Sequence, residues 1–168
     1  MAAQYPVARG VNLGRLASVP MQSAHNRLWS AIADGREGIL STVGADGTPH
    51  MTNVFYLADE SSTGDRVIRV STTSLRAQGK NVLARPRAAL HVAGADFFDF
   101  AVAQGSVSVA QPQAVGDDAT DELFDVHRRL KARVSKRPEF DERMIADRRM
   151  VLRIAVTRVY GLHHPAVR

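Results

Sequence analysis

The segment FDFAVAQGSVSV, residues 98–109, is a strand pattern that changes face in its middle. Phe98, Phe100 and Val102 alternate on one parity, and Val107 and Val109 on the other. A strand of period two switches face only through a bulge or a bend, and Gly105 stands where the switch is cheapest. Kinks of this kind curl a sheet toward a barrel.

Outward from that stretch, residues 38–43, 49–57, 66–72, 87–92 and 150–156 also read as strands, about six in all. Asp46-Gly47 in "GADG" marks a hairpin tip, and "ADESSTGD" a looser turn. Residues 22–33 form a predicted helix, with Ser23 as N-cap, Ala24, Leu28 and Ile32 on one face, and Gly35 as its stop. Residues 74–83 give one or two helical turns that Pro86 ends. Residues 118–134 are a longer helix, with Leu123, Phe124, His127, Leu130 and Val134 on one face. Its acids lead and its bases follow, as the helix dipole favours, so much of that charge needs no partner. Residues 138–146 are a second short helix before the last strand. Hairpin-linked strands argue antiparallel pairing, and few strands with a bulge argue a small barrel. The expected class is mainly β (β+α), an antiparallel barrel with flanking helices. Residues 1–20 read as an arm and 21–168 as one domain.

The chain of 168 residues is 45% hydrophobic, enough for a core. It has no cysteine, which excludes disulfides, thiolate nucleophiles and cysteine-ligated metal, and fits a reducing cytoplasm. Neither a signal peptide nor a membrane span is read from the sequence. The net charge of +5 favours an anionic partner. Aromatics at 6%, not interleaved with basic residues, argue against nucleic acid.

Catalytic motifs are missing: no G-x-S-x-G, no phosphate loop, no H-E-x-x-H. His163-His164 have poor spacing for a metal, and His91 and His127 fall on apolar faces as satisfied histidines. If the protein is an enzyme, a cofactor carries the chemistry. The stretch "STTSLRAQGKNVLARPRAAL", residues 71–90, then matters most. Ser71, Thr72, Thr73 and Ser74 offer donors at a strand end, and Arg76, Lys80 and Asn81 follow at the first turn of a short helix. Donors beside arginine at a helix start suit an anion, whereas a solvated turn would carry the same residues. Arg85 and Arg87, flanking Pro86, stand outside that set.

Four segments, "GILSTVGADGTPHMTNVFYLAD", "VSTTSLRAQGKNVLARPRAAL", "FAVAQGSVSV" and "DRRMVLRIAVTRVYGL", resemble in order the split β-barrel flavin and deazaflavin oxidoreductases, the pyridoxamine 5'-phosphate-oxidase-like proteins. The similarity spans about residues 22–163 and is greatest to the actinobacterial branch that uses the deazaflavin coenzyme F420. It implies a split barrel and a homodimer with cofactor grooves at the interface. It also implies a phosphate turn of pattern R-x-K-x-[RK]-N, met here by Arg76, Gln78, Lys80 and Asn81, with Gln78 in place of the usual lysine. By the same resemblance Thr52, Asn53 and Val54 line the ring system, Ser71 and Thr72 join the cofactor site, and Arg149 approaches the cofactor's tail. Phe98 and Phe100 stand where aromatics edge such pockets, or else are plain core. The expected activity is hydride transfer from reduced F420 to an unsaturated, electron-poor small molecule. FMN is the alternative cofactor, and a non-enzymatic haem or cofactor binder the alternative role.

Overall fold

The computed structural model describes residues 21–132 and 134–162, the first four as backbone only. The arm at 1–20, the side chains of Ser23 and Ala24, Arg133, His163 and His164 lie outside the described residues. Helix α1 (Met21–Asp34) precedes β1 (Glu37–Val43), β2 (Pro49–Phe55), β3 (Leu57–Glu60) and β4 (Arg66–Thr73). Helix α2 (Ala77–Ala84), β5 (Arg87–Ala93) and β6 (Phe100–Ala110) follow. The chain closes with α3 (Asp118–Arg129), α4 (Glu139–Ala146) and β7 (Arg149–Leu162). The seven strands form one antiparallel sheet in the order β2-β1-β5-β6-β7-β4-β3.

The second expected strand is thus two. Tyr56 divides 49–57, and the strands on its two sides lie at opposite edges of the sheet. One residue spans that gap only if the edges come together, so the sheet curls into a half-barrel. Tyr56 is fully buried, its hydroxyl donates to the Ile32 carbonyl at 2.7 Å, and its N–H donates to Arg36 O at 2.9 Å.

The change of face also moves. In β6 the inward residues Ala101, Ala103, Val107 and Val109 keep one parity throughout. The register slips between Gln104 and Gly105, and the extra residue is Thr157, on β7. There the inward set passes from Met150, Leu152, Ile154 and Val156 to Val159. Gly105 faces this bulge, and a Cβ there would overlap the Ala155 carbonyl oxygen. The apolar set Phe98, Phe100, Val102 marks the outer face. Phe98 precedes the strand in a turn and is exposed, and Phe100 is half-buried against His91, so neither is barrel core.

One core lies within the curl, where Leu28, Trp29 and Ile32 of α1 and Val82 of α2 meet Leu40, Ile68, Leu90, Leu152 and Ile154. A second lies outside, where Leu123 and Val126 of α3 and Phe140 and Met144 of α4 cover Leu57 and Val151. Helix α3 ends at Arg129, short of 134, and Lys131 follows with a φ of 55°. Its charges do find partners. Arg69 and Arg129 both bind Asp59 (2.6 Å each), Asp125 joins both, and Arg153 clasps Glu122. Burial pushes the Asp59 carboxyl up, but hydrogen bonds from Arg129 and Arg69 outweigh it and hold the group below its ordinary range.

Candidate functional site

The curl leaves a groove of about 550 Å³ where the β2 edge approaches the ends of β4 and β7. Strand β2 contributes Asn53, Val54 and Phe55, and β4 contributes Ser71. Arg76 and Gln78 come from the start of α2, His127, Leu130 and Ala132 from the end of α3 and beyond, and Arg149 from the head of β7. Of the residues singled out in the sequence, Asn53, Val54, Ser71, Arg76, Gln78 and Arg149 meet in this one space.

Thr72, Lys80 and Asn81 are not among its lining residues, nor is Thr52 of β2. Thr72 is turned to the core by the alternation of β4 and is buried. Its Oγ1 accepts from Gln78 Nε2 at 3.1 Å. Asn81 donates to Thr42 Oγ1 at 3.1 Å, tying α2 to β1. Lys80 is exposed on α2.

Local sequence explains why α2 sits where it does. Residue 79 is glycine, and a Cβ there would overlap the Thr73 carbonyl oxygen and crowd Met150. The helix therefore begins tight against the end of β4. Arg76 is its N-cap residue in extended conformation, and no side chain caps the helix. Its first amide N–H groups remain available to a ligand oxygen. Across from it, Ser74 N–H donates to Arg148 O at 3.1 Å and Thr73 pairs with Arg149, so the start of β7 is fixed beside the start of α2.

The groove is cationic. No Asp or Glu among the described residues lines it. Among the described residues, neither Arg76 nor Arg149 pairs with a carboxylate, whereas Arg66, Arg69, Arg129, Arg137 and Arg153 do. Arg149 Nε is buried and has no hydrogen-bond partner among the described residues. A buried guanidinium nitrogen without an acceptor is costly, and an anion in the groove would satisfy it. The donor set fits a phosphate group. Gln78 fits it less directly, since one of its amide protons is spent on Thr72.

Phe55, His127, Leu130 and Ala132 are groove residues that the sequence did not assign to the site. The helical spacing of His127 with Leu123 and Leu130 placed it on an apolar face, and only the fold brings β4 and Ser71 to it. Its Nε2 lies 3.0 Å from Ser71 Oγ, and its ring meets Phe140 edge-on. Burial, then the charges of Arg149 and Arg143, hold His127 below its ordinary value. His91 stacks on Phe100 with centroids 5.7 Å apart, on the outer face of the sheet. No helix of the described residues is long and apolar enough to cross a membrane.

The curled antiparallel sheet has the split-barrel fold. The chain belongs to the pyridoxamine 5'-phosphate oxidase family, which it matches over residues 27–163. Among solved structures it is similar to an F420 reductase, with a TM-score of 0.58 and 21% identity over 78% of this chain and 94% of that one. It is similar also to a conserved hypothetical protein of Mycobacterium tuberculosis, with a TM-score of 0.57 and 22% identity over 84% and 90% of the two chains. A third is General Stress Protein 26 of Bacillus anthracis, with a TM-score of 0.56 and 21% identity over 81% and 92%. At these identities the likeness is one of fold.

Proposed function

We propose that this chain is an oxidoreductase that binds the deazaflavin coenzyme F420 in the groove and reduces an unsaturated, electron-poor small molecule. The observation that carries it is the convergence of Arg76, the uncapped start of α2 and the unpartnered Nε of Arg149 on one groove. Reduced deazaflavin, when bound, supplies a hydride. The chain supplies position and charge. Arg76 and the α2 amides hold the phosphate, Lys80 adds to the local positive field, and Arg149 draws the anionic tail. Asn53, Val54 and Phe55 bear on the ring system. Holding donor and acceptor in contact supplies most of the rate. FMN also needs a phosphate site and is the alternative cofactor, a reading supported by the family match.

The proposal includes a homodimer. The register sets Asn53, Ile39, His91, Val102 and Tyr160 in one row across five strands of the outer face. Met51, Phe55, Tyr160 and Leu162 are exposed on that face, a patch suited to a second copy of the chain. Asn53, Val54 and Phe55 line both the groove and a hollow on the outer face, so a partner there would wall the site. Sedimentation of the protein with Phe55→Asp tests it, a dimer giving way to monomer. The functional reading is tested by coenzyme affinity in Arg76→Ala and Arg149→Ala, each of which weakens binding. Unchanged affinity in both would refute it.

A further inference from the structure

We propose that Ser71 and His127 form the proton-delivering pair of the groove, with Ser71 presenting the proton to the substrate and His127 resupplying it. The proposal rests on the reductase reading above.

Ser71 stands on β4 and His127 on α3, 56 residues apart, yet Oγ and Nε2 are 3.0 Å from each other and both line the groove. Phe140 of α4 meets the imidazole edge-on at 5.4 Å, which limits the ring's freedom to turn away. Either atom of the pair can donate in the neutral form. In the imidazolium Nε2 donates. The remaining groove residues offer no other acid. The amides of Asn53 and Gln78 do not titrate, and a guanidinium is by its nature no proton donor of this kind. Among the described groove residues, His127 is the side chain of the type that ordinarily titrates closest to neutrality.

The step balances as follows. A carbon–carbon double bond that accepts a hydride from the reduced coenzyme gains one C–H bond, and its π pair moves to the neighbouring carbon. That carbanion takes the proton of Ser71 Oγ. The oxygen takes the Nε2 proton of the imidazolium, leaving neutral His127, which solvent recharges. No second reductant is needed.

The surroundings suit an acid. Arg149 of β7 and Arg143 of α4 are the charges that act on the ring, Ser71 of β4 is its hydrogen-bond partner, and Arg76 shares the groove. With burial, the two arginines hold the imidazolium more acidic than the ordinary 6.5. The sign follows. The proton-loaded pair is lost as pH rises through that lowered midpoint. An anion seated against Arg149 offsets one of the two charges and raises the midpoint, and by reciprocity the anion binds more tightly when His127 is charged.

Two measurements on the full chain test this. The first follows the His127 ring proton by NMR against pH, with and without inorganic phosphate, assigned by loss of the signal in His127→Gln. A midpoint below 6.5 that rises with phosphate supports the pair, and a midpoint indifferent to phosphate overturns it. The second compares turnover and coenzyme affinity. His127→Gln keeps an amide for Ser71 but cannot titrate. It retains coenzyme affinity within about threefold, loses on the order of 100-fold in kcat, and loses the fall in rate with rising pH. Ser71→Ala shows the same loss, and Ser71→Thr, which keeps the hydroxyl, restores most of it. Normal coenzyme binding with unchanged kcat and pH profile in His127→Gln would overturn the pair alone. Failure of the unaltered protein to bind the coenzyme would overturn the reductase reading and the proton-delivery role with it.

Discussion

Phe55 and Leu57 are two residues apart in the chain and stand on opposite edges of a seven-stranded sheet. Everything about the site follows from that closure. It brings the β2 edge against the ends of β4 and β7, and the groove is what remains between them.

Tyr56 between them is the closure's fastener, so Tyr56→Phe is expected to destabilise the fold by roughly 1–1.5 kcal/mol through loss of the bond to Ile32 O. Its phenol is pushed by burial from 10.0 to about 12. The folded state therefore holds this proton more tightly than the unfolded one. The benefit is complete below pH 10 and is lost as pH rises through about 12. Urea denaturation at pH 8 and at pH 11 checks both. The unaltered protein loses more between the two than Tyr56→Phe does.

Gly105→Ala is expected to cost about 1–3 kcal/mol, because the added carbon meets backbone, which cannot step aside. The same change at Gly47, at the open hairpin tip, meets no atom, though its φ of 84° strains alanine there. Melting curves that rank Gly105→Ala as no more harmful than Ala103→Gly would contradict the bulge assignment.

Acid stability reports the network on α3. Burial raises Asp59 and Asp125, and the hydrogen bonds and charges of the neighbouring arginines together outweigh it and depress both folded-state values. Their contribution is complete above the ordinary 3.8 and is lost as pH falls through the depressed values. Asp59→Asn strands Arg69 and Arg129 without one carboxylate. It is expected to lower stability at pH 7 by on the order of 1 kcal/mol and to flatten the loss below pH 4. Denaturation midpoints at pH 7 and pH 3 check it.

Arg76 and Gln78 are expected to separate in binding. Arg76→Ala removes a charge-assisted bond and weakens phosphate or coenzyme binding by about 1.5–3 kcal/mol, roughly 10- to 150-fold. Gln78→Ala falls chiefly on stability, since its Nε2 is engaged by buried Thr72. Calorimetric titration beside a melting curve for each variant tells the two apart.

Local patterns carried much of this structure. The hairpin at Asp46-Gly47, the face of α1 through Leu28 and Ile32, and the presence of a kink near residue 105 were legible because each is set by neighbours in sequence. The strand bearing the bulge was not. Gly105 and Thr157 are partners across a register, and a glycine shows only where something comes close, not which strand has the extra residue. Tyr56 was hidden for a similar reason: an aromatic in a β-like run reads as strand until its hydroxyl finds a helix. At the site, Arg76 and Ser71 stood out as donors at a strand–helix junction. Thr72 has the same chemistry as Ser71, and only strand parity separates them. His127 needed the fold itself, since its partner lies 56 residues away.

The central claim is that Arg76 and Arg149 hold coenzyme F420, Arg76 at its phosphate and Arg149 at its anionic tail. Fluorescence titration of the unaltered protein, Arg76→Ala and Arg149→Ala with F420 and, in parallel, FMN tests it most directly. The predicted result is micromolar or tighter binding of F420, weaker binding of FMN, and at least a tenfold loss of F420 affinity in each variant. Binding of neither cofactor, or affinity unmoved by both substitutions, would contradict it.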